Sequence, residues 1–394
     1  MNIVRDDLNR GSLVNMIATV HSYPSKAQPN VTPFVHKNIN MMVNHGVDVS
    51  VLAPQPWPFG NRSVKQDWIS GTEELQGIEV RRPGYISFSC KKLFGRYSTY
   101  PLTVRAFVGA SQRVAISLEQ KPDIVYGHFL YPGGLAANSL AEKFRVPSTV
   151  VLGESSFSLY EEHIGIERIK NDLSKFSKII SVSELNKSIC VERYGTDPNK
   201  IAVFPNGIDS CKFYPRDRLV SRESLGLPMD RTILIFVGAF VDRKGPLRVM
   251  DAIKDKPDIG VVFLGNGPEL PKGSQVIFRG PVSNEDVPIW LSAADIFVLP
   301  TLAEGSCNAI IEAMACGLPI ISSDRPFNRE IVDSSCGLLV DPRDIGELGY
   351  AISSLVHDET KRNIMASNAL IKSKVFDLSV RVKDMIDWIR LECL

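Results

Sequence analysis

Short apolar runs recur along the chain, each followed by turn residues and then by a stretch of helical spacing. Leu13 to Val20 is the first run. A loop follows, then a helix predicted from about Phe34 to Asn44 and closed by His45-Gly46; Val47 to Ala53 is the next run. Further runs are Asp123–Phe129, Pro147–Leu152, Lys178–Val182, Thr232–Val237, Gly260–Leu264, Val276–Pro281, Ile296–Leu299, Leu318–Ile321 and Gly337–Pro342. Runs that are apolar throughout and rich in Val and Ile predict strands buried on both faces. Helical stretches between them, such as Leu135 to Phe144 and Asn308 to Cys316, predict parallel strands joined by crossovers. The fold class is therefore α/β and doubly wound, with ligands expected at the carboxyl ends of the strands.

The most informative stretch is 296–322, IFVLPTLAEGSCNAIIEAMACGLPIIS. Pro300 stops a strand, and the loop Thr301 to Ser306 leads into a helix. Gly317 and Pro319 end that helix. The amides of Cys307, Asn308 and Ala309 at its start have no intrahelical acceptor and suit a phosphate. Gly305 allows close backbone approach, and Ser306 lies in the same loop. Glu304 precedes the helix and Glu312 lies inside it. Two readings stay open for this pair. Glu304 either complements the helix dipole or meets a ligand, and Glu312 is either a solvated helical residue or a ribose contact. A hydrolase pair fits poorly. Eight residues of helix separate Cα atoms by roughly 12 Å, against roughly 5–5.5 Å between the carboxyl groups of a retaining glycosidase.

Composition narrows the class. A length of 394 residues favours two or three domains, and 44% hydrophobic with 23% charged residues is ordinary for a globular protein. A net charge of +1 gives no reason to expect nucleic acid. Seven scattered Cys form no C-x-x-C or zinc pattern and read as reduced thiols. No apolar run is long enough to span a bilayer. The start, MNIVRDDLNRG, is too polar for a secretory signal and reads as an extension over 1–12. The expectation is a cytoplasmic protein, with the inner membrane face as a candidate peripheral site.

Several segments together resemble the family 4 glycosyltransferases, which are retaining, nucleotide-sugar-dependent enzymes. They are Glu304-Gly305 with Glu312 and EAMACGLPI after it, Val182-Ser183-Glu184, Pro205-Asn206-Gly207-Ile208-Asp209, and Gly238 with Arg243-Lys244-Gly245. The resemblance implies the GT-B fold, two Rossmann-like doubly wound domains facing an interdomain cleft. It places an acceptor-side domain at 13–210, a linker at 211–230, a nucleotide-sugar domain at 231–375 and a returning helix at 376–394. It implies that Lys244 contacts the donor diphosphate, with the amides of Gly305, Ser306, Cys307, Asn308 and Ala309. Glu304 would orient the sugar, Glu312 would hold the ribose, and Gly280 would lie by the base. No cofactor or metal is implied beyond the nucleotide sugar, since no Asp-x-Asp motif is present. A UDP-sugar is favoured and GDP-mannose is the second choice. The acceptor would be a glycan or a lipid-linked sugar.

The chain departs from the family at several positions. Ala239 stands where relatives carry Arg, and Arg243 either replaces it or faces solvent. Leu152-Gly153 stands where many carry His-Gly, with Glu154 next as a candidate polar group in the cleft. Pro33 replaces a frequent Gly and removes a donor. His128 ends a strand and is either a cleft residue or a core histidine. His21 and His36 read as structural or solvated.

Three other stretches remain. Residues 54–68 form a Pro- and Trp-rich loop, either an acceptor surface or a plain loop. Arg81 to Leu118 holds seven Lys or Arg and no acid, interleaved with aromatics. It suits an anionic membrane surface or a pyrophosphate, or else one basic helix face. Gly265-Asn266-Gly267 lacks the third Gly of a dinucleotide fingerprint, because Leu270 stands there. A binding protein that lost turnover and a nucleotide-sugar epimerase are the competing readings.

Overall fold

A computed structural model describes residues 14–29, 31–57, 71–93, 97–118 and 120–394. The expected extension at 1–12 and most of the Trp-containing loop lie outside the described residues.

The amino-terminal half forms an eight-stranded sheet. Its strands are β1 (Val14–Val20), β2 (Val47–Leu52), β3 (Gly71–Leu75), β4 (Ile78–Arg82), β5 (Ile124–His128), β6 (Ser148–Leu152), β7 (Lys178–Ser181) and β8 (Ile201–Val203). The order is β8-β7-β6-β5-β1-β2-β4-β3, parallel throughout except where β3 meets β4. The β3–β4 hairpin was not visible in the apolar pattern, because β3 is a largely exposed edge strand with no continuous apolar run. Successive β1 residues enter opposite cores: Ala18 packs with Val35, Ile39 and Met42 of helix α1 (Pro33–Asn44), and Ile17 with Ala137 and Leu140 of α3 (Leu135–Phe144). Both faces are therefore covered, as the unbroken apolar runs require.

The carboxyl-terminal half is a six-stranded parallel sheet. Its strands are β9 (Thr232–Val237), β10 (Ile259–Leu264), β11 (Val276–Gly280), β12 (Ile296–Leu299), β13 (Ile320–Ser323) and β14 (Gly337–Val340), in the order β11-β10-β9-β12-β13-β14.

Helix α4 (Glu184–Tyr194) is capped by Ser183, whose hydroxyl accepts the Asn186 N–H at 3.2 Å. The stretch expected as linker, 211–230, is helical from Arg218 to Leu225 (α5). Asp217 caps its start and Gly226, at φ +64°, ends it. Arg218 and Arg222 reach Asp295 at 2.7 and 2.5 Å, tying α5 to the second domain beside α6 (Val287–Ala293). These charged positions are what broke the apolar periodicity.

The last helix, α8 (Leu378–Cys393), lies on the first domain. Leu378, Val382, Met385 and Ile386 share the core of Val35 and Ile39. Its Arg381 is buried, donating to Asn38 Oδ1 at 2.6 Å and to the Phe204 and Pro205 carbonyls.

The basic stretch is less available than its sequence suggests. Arg82 is buried and donates to the Tyr23 and Pro24 carbonyls and to Glu73. Arg81 pairs with Glu79 and Lys92 with Glu162. Arg96 lies outside the described residues. Lys91, Arg105 and Arg113 are exposed, as are Ile86, Phe88 and Leu102. Leu102, Arg105 and Arg113 lie on helix α2 (Tyr100–Ala115), and the Phe88 N–H donates to Thr103 Oγ1 of that helix at 3.0 Å. Among the described residues no helix is long and apolar enough to cross a membrane.

Candidate active site

The two sheets point their carboxyl ends at one cleft of about 640 Å³. His21 follows β1, His128 ends β5, Gly153 and Glu154 follow β6, and Val182 follows β7; the second domain contributes Val237 at the end of β9 and Glu304 after β12. This is where a doubly wound sheet leaves a crevice between diverging loops.

Of the twelve residues expected at the site, eleven line this cleft: His128, Glu154, Arg243, Lys244, Glu304, Gly305, Ser306, Cys307, Asn308, Ala309 and Glu312. Gly280 does not. It ends the edge strand β11, and its carbonyl accepts the Gly265 N–H at 2.9 Å.

The loop Thr301–Cys307 is strapped to the loop after β9. Leu302 N–H donates to the Arg243 carbonyl at 2.7 Å, and Arg243 Nη1 donates to the Ala303 carbonyl at 2.5 Å. Glu304 Oε1 then gathers three donors: Lys244 Nζ at 2.5 Å, the Thr301 hydroxyl at 2.7 Å and Arg243 Nη1 at 3.2 Å. Arg243 thus reaches the site and does not face solvent alone. Ala239, at the position of the missing family cation, also lines the cleft.

Helix α7 (Asn308–Ala315) begins at Cys307, which provides no side-chain cap. Its first amides, from Gly305 to Ala309, have no acceptor among the described residues, while the Ile310 N–H turns back to the Cys307 carbonyl at 3.1 Å. The Ser306 hydroxyl is buried without a hydrogen-bond partner among the described residues. Unpaired buried donors around a cleft are groups that a ligand satisfies. Burial pushes the Cys307 thiol up to about 12, so it stays protonated.

Gly305 has a second role. A Cβ there would lie 2.6 Å from the Gly153 carbonyl oxygen and 2.8 Å from that of Glu154. Its bare backbone is what lets the two domains touch at this point. Asn206 adds a contact, donating from Nδ2 to Asn308 Oδ1 at 2.8 Å. The Pro205–Asp209 segment is recognisable in the sequence, but nothing local marks Asn206 for this contact.

On the first domain, Glu154 Oε1 accepts the Leu130 N–H at 2.7 Å, and Oε2 is buried without a close partner among the described residues, near the Tyr160 hydroxyl. Burial raises its carboxyl to about 7. His128 Nδ1 lies 3.1 Å from the Tyr126 hydroxyl. Burial, with His21 and Arg381 nearby, pushes its imidazole down to about 3, so it is neutral. His36 is structural, between the Tyr23 hydroxyl and Gln76.

Burial also raises Glu312 to about 7, opposed by the charges of Lys37 and Lys212. Lys37 comes from α1 and donates to Asn284 Oδ1 at 3.0 Å across the domain boundary. A lone Lys on a helix carries no sequence signal for this.

Solved structures with the same overall fold include sucrose-phosphate synthase from Thermosynechococcus elongatus, at TM-score 0.75 and 20% identity over 96% of this chain and 98% of that one. HepE of Anabaena, in complex with UDP and glucose, matches at TM-score 0.73 and 18% identity over 96% and 100%. The architecture is that of the GT-B glycosyltransferases. The model described as Glycosyltransferase Family 4 matches residues 31–211, and that of Glycosyl transferases group 1 matches 217–371. A Bacillus subtilis protein bearing the name of a teichuronic acid biosynthesis glycosyltransferase is 26% identical over 86% of this chain and 88% of its own length. An Escherichia coli UDP-Gal:alpha-D-GlcNAc-diphosphoundecaprenol alpha-1,3-galactosyltransferase is 31% identical over 49% and 54%. The chain belongs to glycosyltransferase family 4 and is a glycosyltransferase.

Proposed function

We propose that the protein transfers a sugar, with retention, from a nucleoside diphosphate sugar to a glycan or lipid-linked acceptor in polysaccharide synthesis. The observation that carries this reading is the convergence of Lys244, Arg243, Glu304 and the free amides of α7 on one cleft. Cations and amides there would neutralise the leaving diphosphate, which is why no metal is expected. Glu304 would orient the sugar and Glu312 the ribose. The sugar C1–O bond to phosphate breaks, and a new C1–O bond forms to the acceptor on the same face. The acceptor proton passes to the leaving phosphate oxygen.

A UDP-sugar is favoured, and the likeness to the E. coli galactosyltransferase supports both that donor and a lipid-linked acceptor. Exposed Lys91, Arg105 and Arg113, with Ile86, Phe88 and Leu102, support peripheral binding at an anionic cytoplasmic membrane face. Vesicle binding should then fall with salt, and equal binding to neutral vesicles would count against the membrane part.

The test of the main reading is a panel of nucleotide sugars, assayed for hydrolysis and transfer with and without EDTA. Proton NMR of the product reads the anomer. Release of nucleoside diphosphate in EDTA and a product of unchanged anomeric configuration are expected. An inverted product would overturn retention, and binding without turnover on any donor or acceptor extract would leave a binding protein.

A further inference from the structure

His128 and Tyr126 sit two residues apart on β5, so their side chains share one face of the sheet. His128 lines the cleft; Tyr126 lies behind it, almost wholly buried. The Tyr126 hydroxyl has one hydrogen-bond partner among the described residues, His128 Nδ1 at 3.1 Å. Nε2 is the nitrogen left to the cleft.

A neutral imidazole carries one proton, and its two nitrogens are not equivalent. Either the phenol donates to Nδ1, or Nδ1–H donates to the phenol. In the second case the phenol's own proton would need another acceptor, and none is within reach among the described residues. Leaving a buried hydroxyl proton unpaired is unfavourable. The charge of Arg381 acts on both Tyr126 and His128. Arg381 is held in place by Asn38 and the Phe204 and Pro205 carbonyls, and its pKa of about 10 keeps it protonated. A nearby fixed cation also favours turning the phenol's lone pairs toward itself and its proton away.

We propose that Tyr126 is a positioning residue that donates to His128 Nδ1 and so fixes His128 as an Nε2–H donor to an oxygen in the cleft. His128 then cannot act as a base. It donates to an oxygen of the sugar or of the leaving group. The partner of Nε2 rests on the transfer reading above, whereas the tautomer does not.

The experiment has two arms. In the first, nitrogen-15 NMR of histidine-labelled wild-type protein reads which ring nitrogen is protonated, with the His128 signals assigned by their loss in His128→Gln. A protonated Nε2 and bare Nδ1 are expected at pH 7 and 8. Tyr126→Phe should give a mixture of tautomers. A protonated Nδ1 in the wild type overturns the proposal. An unchanged tautomer in a folded Tyr126→Phe overturns the role of Tyr126. If Tyr126→Phe does not fold, the wild-type spectrum still decides the tautomer and the second arm decides its use.

The second arm is transfer. Gln places an amide N–H near the position of Nε2, and Asn places one near Nδ1. His128→Gln should keep about a tenth of wild-type kcat and His128→Asn about a hundredth or less, as for loss of one aimed donor. Equal activity of the two variants rejects the donor role. A wild type with the expected tautomer and no transfer at all would sink the transfer reading and leave the tautomer assignment standing.

Discussion

Lys244 Nζ lies 2.5 Å from Glu304 Oε1, and Arg243 Nη1 lies 3.2 Å from the same oxygen. The two cations proposed for the donor diphosphate thus share the one carboxylate proposed for its sugar. A bound diphosphate must therefore share or take these cations from Glu304. Lys244→Ala should weaken binding of the nucleoside diphosphate about 10- to 100-fold, as expected for one charge-assisted contact. Glu304→Gln should tighten that binding, because it releases two cations, and should lower kcat about 100-fold. Calorimetry and steady-state transfer measure the two effects. Weaker nucleotide binding in a folded Glu304→Gln would show that this acid supports the diphosphate site and does not compete for it.

Glu312 titrates where enzymes are assayed. Burial holds its carboxyl near neutrality, at about 7, while Lys37 and Lys212 favour the charged form. Cys307 and Cys316 also face it and are neutral over this range. Ribose hydroxyls donate to a carboxylate, so donor binding should improve as pH rises through about 7. Glu312→Gln should raise the donor KM about tenfold with kcat nearly unchanged, and should flatten this pH dependence. A fall in kcat at constant KM would place Glu312 at the reacting centre.

Gly305 is one of the points where the domains meet. Ala would set a carbon 2.6 Å from the Gly153 carbonyl oxygen, and backbone on both sides prevents a side-chain escape. Gly305→Ala should keep both domains folded and part them at the cleft. Small-angle scattering should show a larger radius of gyration, and kcat should fall about 100-fold through lost positioning. An unchanged radius with wild-type turnover would mean that this contact is dispensable.

How much of this was legible depends on local signal. The buried parallel strands announce themselves because both faces of each are covered, so their residues are apolar throughout. Glu304, Lys244 and the amides of α7 fall within two short segments of fixed spacing, and the structure brings those segments together. Strand β3 and helix α5 carry no apolar run, because one edges a sheet and the other is held by Arg218 and Arg222 on Asp295, while β4 alternates buried Ile78 and Val80 with charged residues. Lys37, Asn206 and Tyr126 escaped for another reason. Each acts across a distance set only by tertiary packing, as when Arg381 reaches Asn38 from the far end of the chain. Arg82 was legible as a cation but not as a buried one, since nothing local marks the carbonyls of Tyr23 and Pro24 as its partners.

Glu154 supplies the last prediction, which concerns stability. Its carboxyl is buried, with one oxygen held by the Leu130 amide and the other without a close hydrogen-bond partner among the described residues, the Tyr160 hydroxyl lying nearby. Tyr100, Tyr160 and Cys190 face it, all neutral near pH 7, and the Tyr160 hydroxyl and the Leu130 amide favour its charged form against burial. Its pKa is raised from 4.5 to about 7, with burial as the largest cause. Between those values the folded chain holds more protons than the unfolded chain. Stability contributed by this group therefore falls as pH rises from 4.5 to 7 and levels off above that window. Gln keeps an acceptor for Leu130 and has no charge to bury. Glu154→Gln should be close to neutral in stability at pH 4.5 and more stable than wild type by roughly 1–3 kcal/mol at pH 8. Urea midpoints of both proteins at the two pH values measure the difference. An equal difference at both, or a less stable Gln protein at pH 8, would mean that the carboxylate has a compensating partner in the folded state.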